Sequence, residues 1–250
     1  MNQTNHSSRQ KIRADLLLVE RGLAESRERA QALIMEGMVF IPSGRVAKPS
    51  TPLSNDIEVE VRGRLPYVSR GGIKLAHALD HFALEPSSLV ALDVGASTGG
   101  FTDCLLQRGA ARVYAVDVGH GQLAYTLRQD PRVVCFEKLN ARLPFQLPEP
   151  VDLLVIDVSF ISLTLALPQP LTHLKACGYA VALVKPQFEA RRGEVGKGGV
   201  IRSDALREDI LLRVEQWLSA RDDVELLDTI PSPITGDAGN HEFLSLLRKL

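Results

Sequence analysis

The sequence has little cysteine, no long apolar run and almost no net charge. Its three cysteines, at 104, 135 and 177, are scattered and odd in number, which argues against a disulfide framework and a Cys-x-x-Cys metal site. No apolar stretch approaches the length that spans a membrane. The cysteine usage predicts a reduced, cytoplasmic setting. Residues 1–10 lack the apolar centre of a secretory signal, and we expect a disordered tail there.

The formal net charge of −1 hides an asymmetry along the chain. Residues 1–70 carry 11 Lys and Arg against 8 Asp and Glu, whereas residues 71–250 carry 18 against 22. A mildly basic first part on a mildly acidic body is a weak indication of nucleic-acid binding. The length of 250 residues, with 45% hydrophobic and 24% charged residues, fits one large globular domain and a small one.

Residues 11–61 have the pattern of a small α+β domain, and 62–70 have that of a linker into the second domain, 71–250. Apolar spacing and turn residues predict helices at 14–21 and 27–35, then strands at 39–41, 45–46 and 57–61. Six basic side chains are candidates for binding RNA phosphates: Lys11, Arg13, Arg27, Arg29, Arg45 and Lys48. For any one of them, the alternative is a solvated surface charge.

The most informative motif is Leu-Asp-Val-Gly-Ala-Ser-Thr-Gly-Gly-Phe at 92–101, which follows an apolar run and precedes a helix-like segment. Its glycines do not have the Gly-x-Gly-x-x-Gly spacing of dinucleotide folds, and no lysine follows them as in a P-loop. The remaining form, Asp-x-Gly-x-x-x-Gly-Gly, resembles motif I of S-adenosylmethionine (SAM) dependent methyltransferases. The alternative is an ordinary strand-turn-helix corner. The candidate cofactor-binding residues here are Asp93, Gly95, Ala96, Ser97, Thr98, Gly99, Gly100 and Phe101.

From residue 71 onward, strand and helix patterns alternate. Strands are predicted at 88–94, 112–117, 132–135, 152–157, 179–185, 224–230 and 242–248, and helices at 101–108, 121–129, 163–175 and 203–219. Alternation predicts an α/β fold, a Rossmann-like and mostly parallel sheet covered by helices on both faces. The two consecutive strands at the end predict an antiparallel last strand, which is typical of the methyltransferase version of this sheet.

Polar side chains follow several of these strands. Asp117 closes the second strand, where an acid can bind the ribose hydroxyls of a nucleoside, although a helix N-cap is an equal local alternative. Asn140 follows the third strand, where adenine or substrate would lie. Asp157 and Lys185 end two further apolar strands, and since both fall at the functional edge of the sheet they are candidates to meet there.

Lys74 and Glu242 complete the candidate catalytic set. Taken alone, Lys74 has the pattern of a solvated helix lysine, and an exposed strand end is an equal alternative for Glu242. In order and context, however, Lys74, Asp157, Lys185 and Glu242 resemble the Lys-Asp-Lys-Glu tetrad of FtsJ-like ribose 2′-O-methyltransferases. The phrases Ser-Arg-Gly-Gly-Ile-Lys-Leu, Ile-Asp-Val-Ser-Phe-Ile-Ser-Leu and Val-Lys-Pro-Gln-Phe-Glu carry the same resemblance more specifically.

Residues 11–61 also resemble an S4 RNA-binding domain, through Arg13-Ala-Asp-Leu, Gly22, Ser26-Arg and Gly37-Met-Val, but with Ser43-Gly44 where Asn-Gly is usual. Together the two parts resemble the TlyA family, RNA methyltransferases often labelled hemolysins. The resemblance implies SAM as cofactor, ribosomal RNA or ribosomal subunits as partners and cytidine 2′-hydroxyls as the methylated groups. Lys185 is then the candidate base if neutral, or a stabiliser of the alkoxide if charged.

Two other functions remain open on the sequence. One is a membrane-active hemolysin, against which the missing signal and missing apolar span argue. The other is a non-catalytic RNA-binding or ribosome-assembly factor, against which the presence of all four tetrad residue types argues. No metal-ligand spacing is present, and the reaction implied by the resemblance needs no metal.

Overall fold

The computed structural model describes residues 11–35, 37–61, 66–196, 198–236 and 239–250. The chain forms two compact units, Met1–Leu65 and Pro66–Leu250. The expected tail, 1–10, and part of the expected linker, 62–65, lie outside the described residues. Residues 66–70 belong to the second unit, so the part of the expected linker that is described packs with the larger unit.

In the residues described, the first unit packs two helices with two small antiparallel sheets. Its elements are β1 Lys11–Arg13, α1 Ala14–Glu20, α2 Arg27–Met35, β2 Val39–Ile41, β3 Gly44–Arg45, β4 Pro52–Ser54 and β5 Glu60–Val61. β1 pairs with β4, and β2 pairs with β3 and β5. Leu17, Leu33 and Ile34 are buried at the helical spacing seen in the sequence. The strand predicted at 57–61 is shorter, because the Ile57 N–H closes a turn on the Ser54 carbonyl at 3.0 Å.

The second unit is a seven-stranded sheet with helices on both faces. Its helices are α3 Gly71–His81, α4 Gly100–Gln107, α5 Tyr125–Arg128, α6 Leu163–Ala166, α7 Pro168–Leu171, α8 Pro186–Glu189 and α9 Asp204–Ser219. Its strands are β6 Val90–Val94, β7 Arg112–Val116, β8 Val133–Phe136, β9 Val151–Ile156, β10 Leu174–Val184, β11 Val224–Pro231 and β12 Phe243–Lys249. The strand order is β11-β12-β10-β9-β6-β7-β8. β12 runs antiparallel to both of its neighbours, and the other pairs are parallel, as the sequence predicts.

Alternate residues of the central strands pack on opposite faces of this sheet. Leu153 and Val155 of β9 join one buried cluster with α3 and α4, whereas Leu154 and Ile156 join the other with α6, α7 and α9. Each fully buried aliphatic side chain of this kind contributes about 1.5–3 kcal/mol. Burial on both faces fixes the register of the strands. It therefore also fixes where each strand ends at the functional edge.

Two helices predicted from the sequence are wrong in extent. The helix predicted at 163–175 is broken into the single turns α6 and α7, and β10 already begins at Leu174. Pro168 and Pro170 each lack the N–H that a continuous helix needs at that point. The helix predicted at 121–129 shrinks to the single turn α5, because Gly121 adopts the left-handed conformation with φ of +69° and Ala124 is extended.

Candidate active site

The glycine-rich turn after β6 is built around backbone that only glycine accommodates. Gly95 has φ of +82°, and a Cβ there would lie 2.3 Å from the carbonyl oxygen of Asp157. Gly99 caps α4 with φ of +97°, and a Cβ there would lie 2.3 Å from Leu127 Cδ1. The first close approach brings the turn after β6 against the end of β9. The two glycines therefore let the turn pack closely on the protein beneath it.

Asp117 fastens this turn to the neighbouring strand. One of its carboxylate oxygens accepts the Ser97 N–H at 2.8 Å, and the other accepts the Gly119 N–H at 2.6 Å. A carboxylate has about four lone-pair positions, so two remain for a ligand. Asp117 lies next to β7, at the carboxyl edge of the sheet, where a ribose can reach it.

A cavity of about 490 Å³ opens beside Asp117. Of the residues predicted to bind the cofactor or to act on the substrate, five line it: Gly95, Ser97, Asp117, Asn140 and Asp157. The other predicted cofactor-binding residues of the glycine motif do not line it. Ala96 and Phe101 are buried, and Gly100 packs on Ser69, whose Oγ a Cβ would meet at 2.2 Å. These residues shape the turn from beneath.

Asp93 is also buried beneath the turn, with no exposed surface. Its Oδ2 accepts a hydrogen bond from Thr102 Oγ1 at 2.6 Å, and its Oδ1 has no hydrogen-bond partner among the described residues. Burial raises the pKa of Asp93 to about 7, and the charges of Asp157 and Asp117 push it in the same direction. Asp93 therefore supports the turn and does not itself line the cavity.

The four predicted catalytic side chains form two ion pairs. Lys185 Nζ lies 2.5 Å from Asp157 Oδ1 and donates a hydrogen bond to Ser159 Oγ at 2.8 Å. Lys74 Nζ pairs with Glu242 Oε2. Lys74, Lys185 and Glu242 are only 7%, 9% and 3% exposed. Burying charges to this degree destabilises the fold unless they are paired, so the two ion pairs are needed to hold these side chains at this edge.

The sheet register explains why residues so distant in sequence meet. Asp157 directly follows β9 and Lys185 directly follows β10, and these two parallel strands are neighbours. Val184 of β10 lies opposite Phe243 of β12, so Lys185 and Glu242 reach the same edge from antiparallel strands. Gly236 leaves room for the Glu242 side chain, because a Cβ at Gly236 would lie 2.4 Å from Glu242 Oε1.

The structure adds cavity residues that the sequence prediction missed. Phe160 is 91% exposed, lines the cavity and has φ of +63°, which is unusual for an aromatic residue. Its ring lies 5.2 Å from that of Phe188. Gln122, Leu139 and Arg142 also line the cavity. The available signal for Phe160 was its position three residues after the strand-ending Asp157.

The six predicted phosphate-binding residues of the first unit fall into two groups. Lys11, Arg29, Arg45 and Lys48 are exposed. Arg13 and Arg27 instead bond to Asp15, whose side chain is fully buried, with Arg13 forming two hydrogen bonds at 2.9 and 2.8 Å and Arg27 one at 3.1 Å. The hydrogen bonds from Arg13, joined by those from Gln31 and Arg27, hold the pKa of Asp15 well below its ordinary value. These two arginines therefore have a structural partner in the unit.

Among the residues that the structure describes, no three His, Cys, Asp or Glu side chains form a group able to hold a metal ion. None of the described helices is long and apolar enough to cross a membrane.

Comparisons with known proteins match this chain to a methyltransferase family and to relatives over most of its length. A family model described as FtsJ-like methyltransferase matches residues 67–249. "Putative rRNA methyltransferase YqxC" of Bacillus subtilis is 48% identical over 242 residues, covering 94% of this chain and 84% of that protein. "16S/23S rRNA (cytidine-2'-O)-methyltransferase TlyA" of Mycobacterium tuberculosis is 45% identical over 246 residues, covering 95% and 90%. The solved structure "Putative hemolysin from Streptococcus thermophilus" is 42% identical, with a TM-score of 0.73, over 97% of this chain and 90% of that one.

Proposed function

The chain belongs to the TlyA family of FtsJ-like methyltransferases, and we propose that it transfers a methyl group from SAM to the 2′-hydroxyl of cytidine in ribosomal RNA. The observation that carries the proposal is the pair of buried ion pairs, Lys185–Asp157 and Lys74–Glu242, at the edge of a sheet that also holds a nucleoside-sized cavity. The relatives named rRNA methyltransferases support the choice of RNA. Such a substrate implies a cytoplasmic protein that works on ribosomal subunits.

The cavity fits SAM on its own geometry. Asp117 keeps lone pairs for the two ribose hydroxyls, and the side-chain-free backbone at Gly95 lets the methionine part approach closely. Leu139 and Val118 offer apolar surface to the adenine, with Asn140 beside them for its polar edge. When bound, SAM supplies an electrophilic methyl group on a sulfonium.

The 2′-hydroxyl is a poor nucleophile, and Lys185 Nζ is the group we assign to it. As a neutral amine Lys185 takes the hydroxyl proton, and as an ammonium it stabilises the negative charge that develops on the oxygen. Asp157 and Ser159 orient the amine in either case, since both lie within 2.8 Å of it. The exposed ring of Phe160 offers a face on which the acceptor base can stack at the mouth of the cavity.

The first unit supplies RNA affinity in this proposal. Four of its exposed cations, Lys11, Arg29, Arg45 and Lys48, contact phosphates. Arg13 and Arg27 keep half-exposed side chains while Asp15 orients them, so they remain available to phosphate as well.

Transfer of labelled methyl from SAM to ribosomal RNA by the purified protein tests the proposal. We expect Lys185→Ala to abolish transfer. Lys175→Ala is the matched control, because Lys175 pairs with Asp152 at 2.6 Å at the opposite end of the same two strands, and it is expected to retain transfer. Wild-type levels of transfer by Lys185→Ala would contradict the assigned role.

A further inference from the structure

A carboxylate outside the tetrad ties together the two loops that carry Lys185 and Asp157. Glu189 ends α8, the turn directly after Lys185. Its Oε1 accepts the Leu163 N–H at 2.6 Å, and its Oε2 accepts the Ser162 hydroxyl at 2.5 Å. Both partners follow Asp157 on the neighbouring loop. Burial raises the pKa of Glu189 even though these two hydrogen bonds favour its charged form.

The segment held in this way includes a strained residue. Phe160 has φ of +63°, and a non-glycine residue in such a conformation costs about 1–3 kcal/mol and persists only when its surroundings determine it. The parallel ladder of β9 fixes the chain just before Asp157, on one side of Phe160. The hydrogen bonds of Glu189 fix it at Ser162 and Leu163, on the other side.

We propose that Glu189 is a positioning residue for methyl transfer. It sets the separation between Lys185 and the turn that carries Asp157 and Phe160, and it acts through these side chains without touching substrate. The inference rests on the proposed function, because alignment of hydroxyl, methyl and sulfur is what such a reaction requires of its site.

A misplacement of about 1 Å at a reacting centre costs on the order of 100-fold in rate. We therefore expect Glu189→Gln to lower kcat by about 10- to 100-fold, because a Gln side chain offers one acceptor oxygen for two donors. The KM for SAM is expected to stay within about twofold, since Gly95 and Asp117 are untouched. Ser162→Ala, which keeps the Leu163 hydrogen bond, is expected to lower kcat less than Glu189→Gln does. Because the two residues share a hydrogen bond, the loss of kcat in the Glu189→Gln, Ser162→Ala double variant should be smaller, in free energy, than the sum of the two single losses.

Asp152→Asn is the matched control. Asp152 accepts a backbone N–H from Val90 at 2.9 Å and pairs with Lys175, so it makes the same kind of inter-strand tie at the opposite end of β9. A merely structural role for Glu189 predicts similar losses of melting temperature and of kcat in both variants. A kcat for Glu189→Gln no lower than that for Asp152→Asn would overturn the proposal.

A second readout separates this inference from the proposed function. The NMR shift of the Lys185 side-chain Cε in labelled protein reports the Lys185–Asp157 pair without any RNA. We expect Glu189→Gln to change that shift and Asp152→Asn to leave it unchanged. If Glu189→Gln changes the Lys185 shift as expected but the wild-type protein does not methylate ribosomal RNA, the proposed function alone is refuted. An unchanged Lys185 signal in Glu189→Gln would refute the positioning role.

Discussion

Asp93→Asn is expected to change how the stability of the second unit depends on pH. Burial raises the pKa of Asp93 from 3.8 to about 7. Below pH 3.8 the carboxyl group is protonated in the folded and the unfolded chain, so it imposes no penalty. Between pH 3.8 and 7 the unfolded chain releases the proton and the folded chain keeps it, so stability falls as pH rises. Above pH 7 the penalty is complete, and a rise from 3.8 to about 7 corresponds to about 4 kcal/mol.

Asparagine has nearly the same shape and keeps an oxygen for Thr102 Oγ1, but it carries no titratable proton. The free energy of unfolding of the variant relative to wild type should therefore increase between pH 4.5 and pH 8, by up to about 4 kcal/mol. Urea unfolding followed by the fluorescence of Trp217, the only tryptophan, measures it in the second unit.

Asp152→Asn provides a control with the opposite sign. Burial alone would raise the pKa of Asp152, but hydrogen bonds from Lys175 and the Val90 N–H lower it below its ordinary value. Its ionised form therefore stabilises the folded chain above the ordinary pKa, and that contribution is lost as pH falls. The stability of Asp152→Asn relative to wild type should decrease with rising pH. If the free energy of unfolding of Asp93→Asn relative to wild type stays constant from pH 4.5 to pH 8, the pKa of Asp93 is not raised by burial.

Two further variants test the cofactor turn and the first unit. Gly95→Ala should weaken SAM binding at least tenfold, measured by calorimetry, because the added methyl group meets the Asp157 carbonyl oxygen. Gly121→Ala is the control and should not weaken SAM binding, because Gly121 also has a positive φ, of +69°, but has open space around it. Asp15→Asn should destabilise the first unit by about 1–3 kcal/mol by weakening its hydrogen bonds to Arg13 and Arg27, which faster amide exchange in 27–35 would reveal; unchanged exchange would contradict this.

The sheet and the meeting of Asp157 with Lys185 were predictable because they depend on local patterns. The apolar run into Asp93 and the glycines after it specify a strand and a turn without reference to the rest of the chain. Parallel strands bring their carboxyl ends to one edge, so residues that end apolar strands, such as Asp157 and Lys185, become candidates to meet.

Features that depend on distant partners were not predictable. The hydrogen bonds of Glu189 join residues 26 and 27 positions apart, and nothing in the local sequence of Phe160 specifies its left-handed backbone. The sequence offers phosphate ligands or solvated charges for Arg13 and Arg27 and no bond to Asp15, because the burial of Asp15 follows from packing.

The position of the transferred methyl group on the RNA distinguishes ribose methylation from base methylation. Ribosomal RNA methylated by the purified protein would be digested to nucleosides and analysed by mass spectrometry, with alkaline cleavage of the intact RNA to locate the site. We expect 2′-O-methylcytidine and resistance to alkali at the modified nucleotide, because the 2′-hydroxyl that drives cleavage is blocked. A methyl group on a base, with alkali sensitivity unchanged, would contradict it.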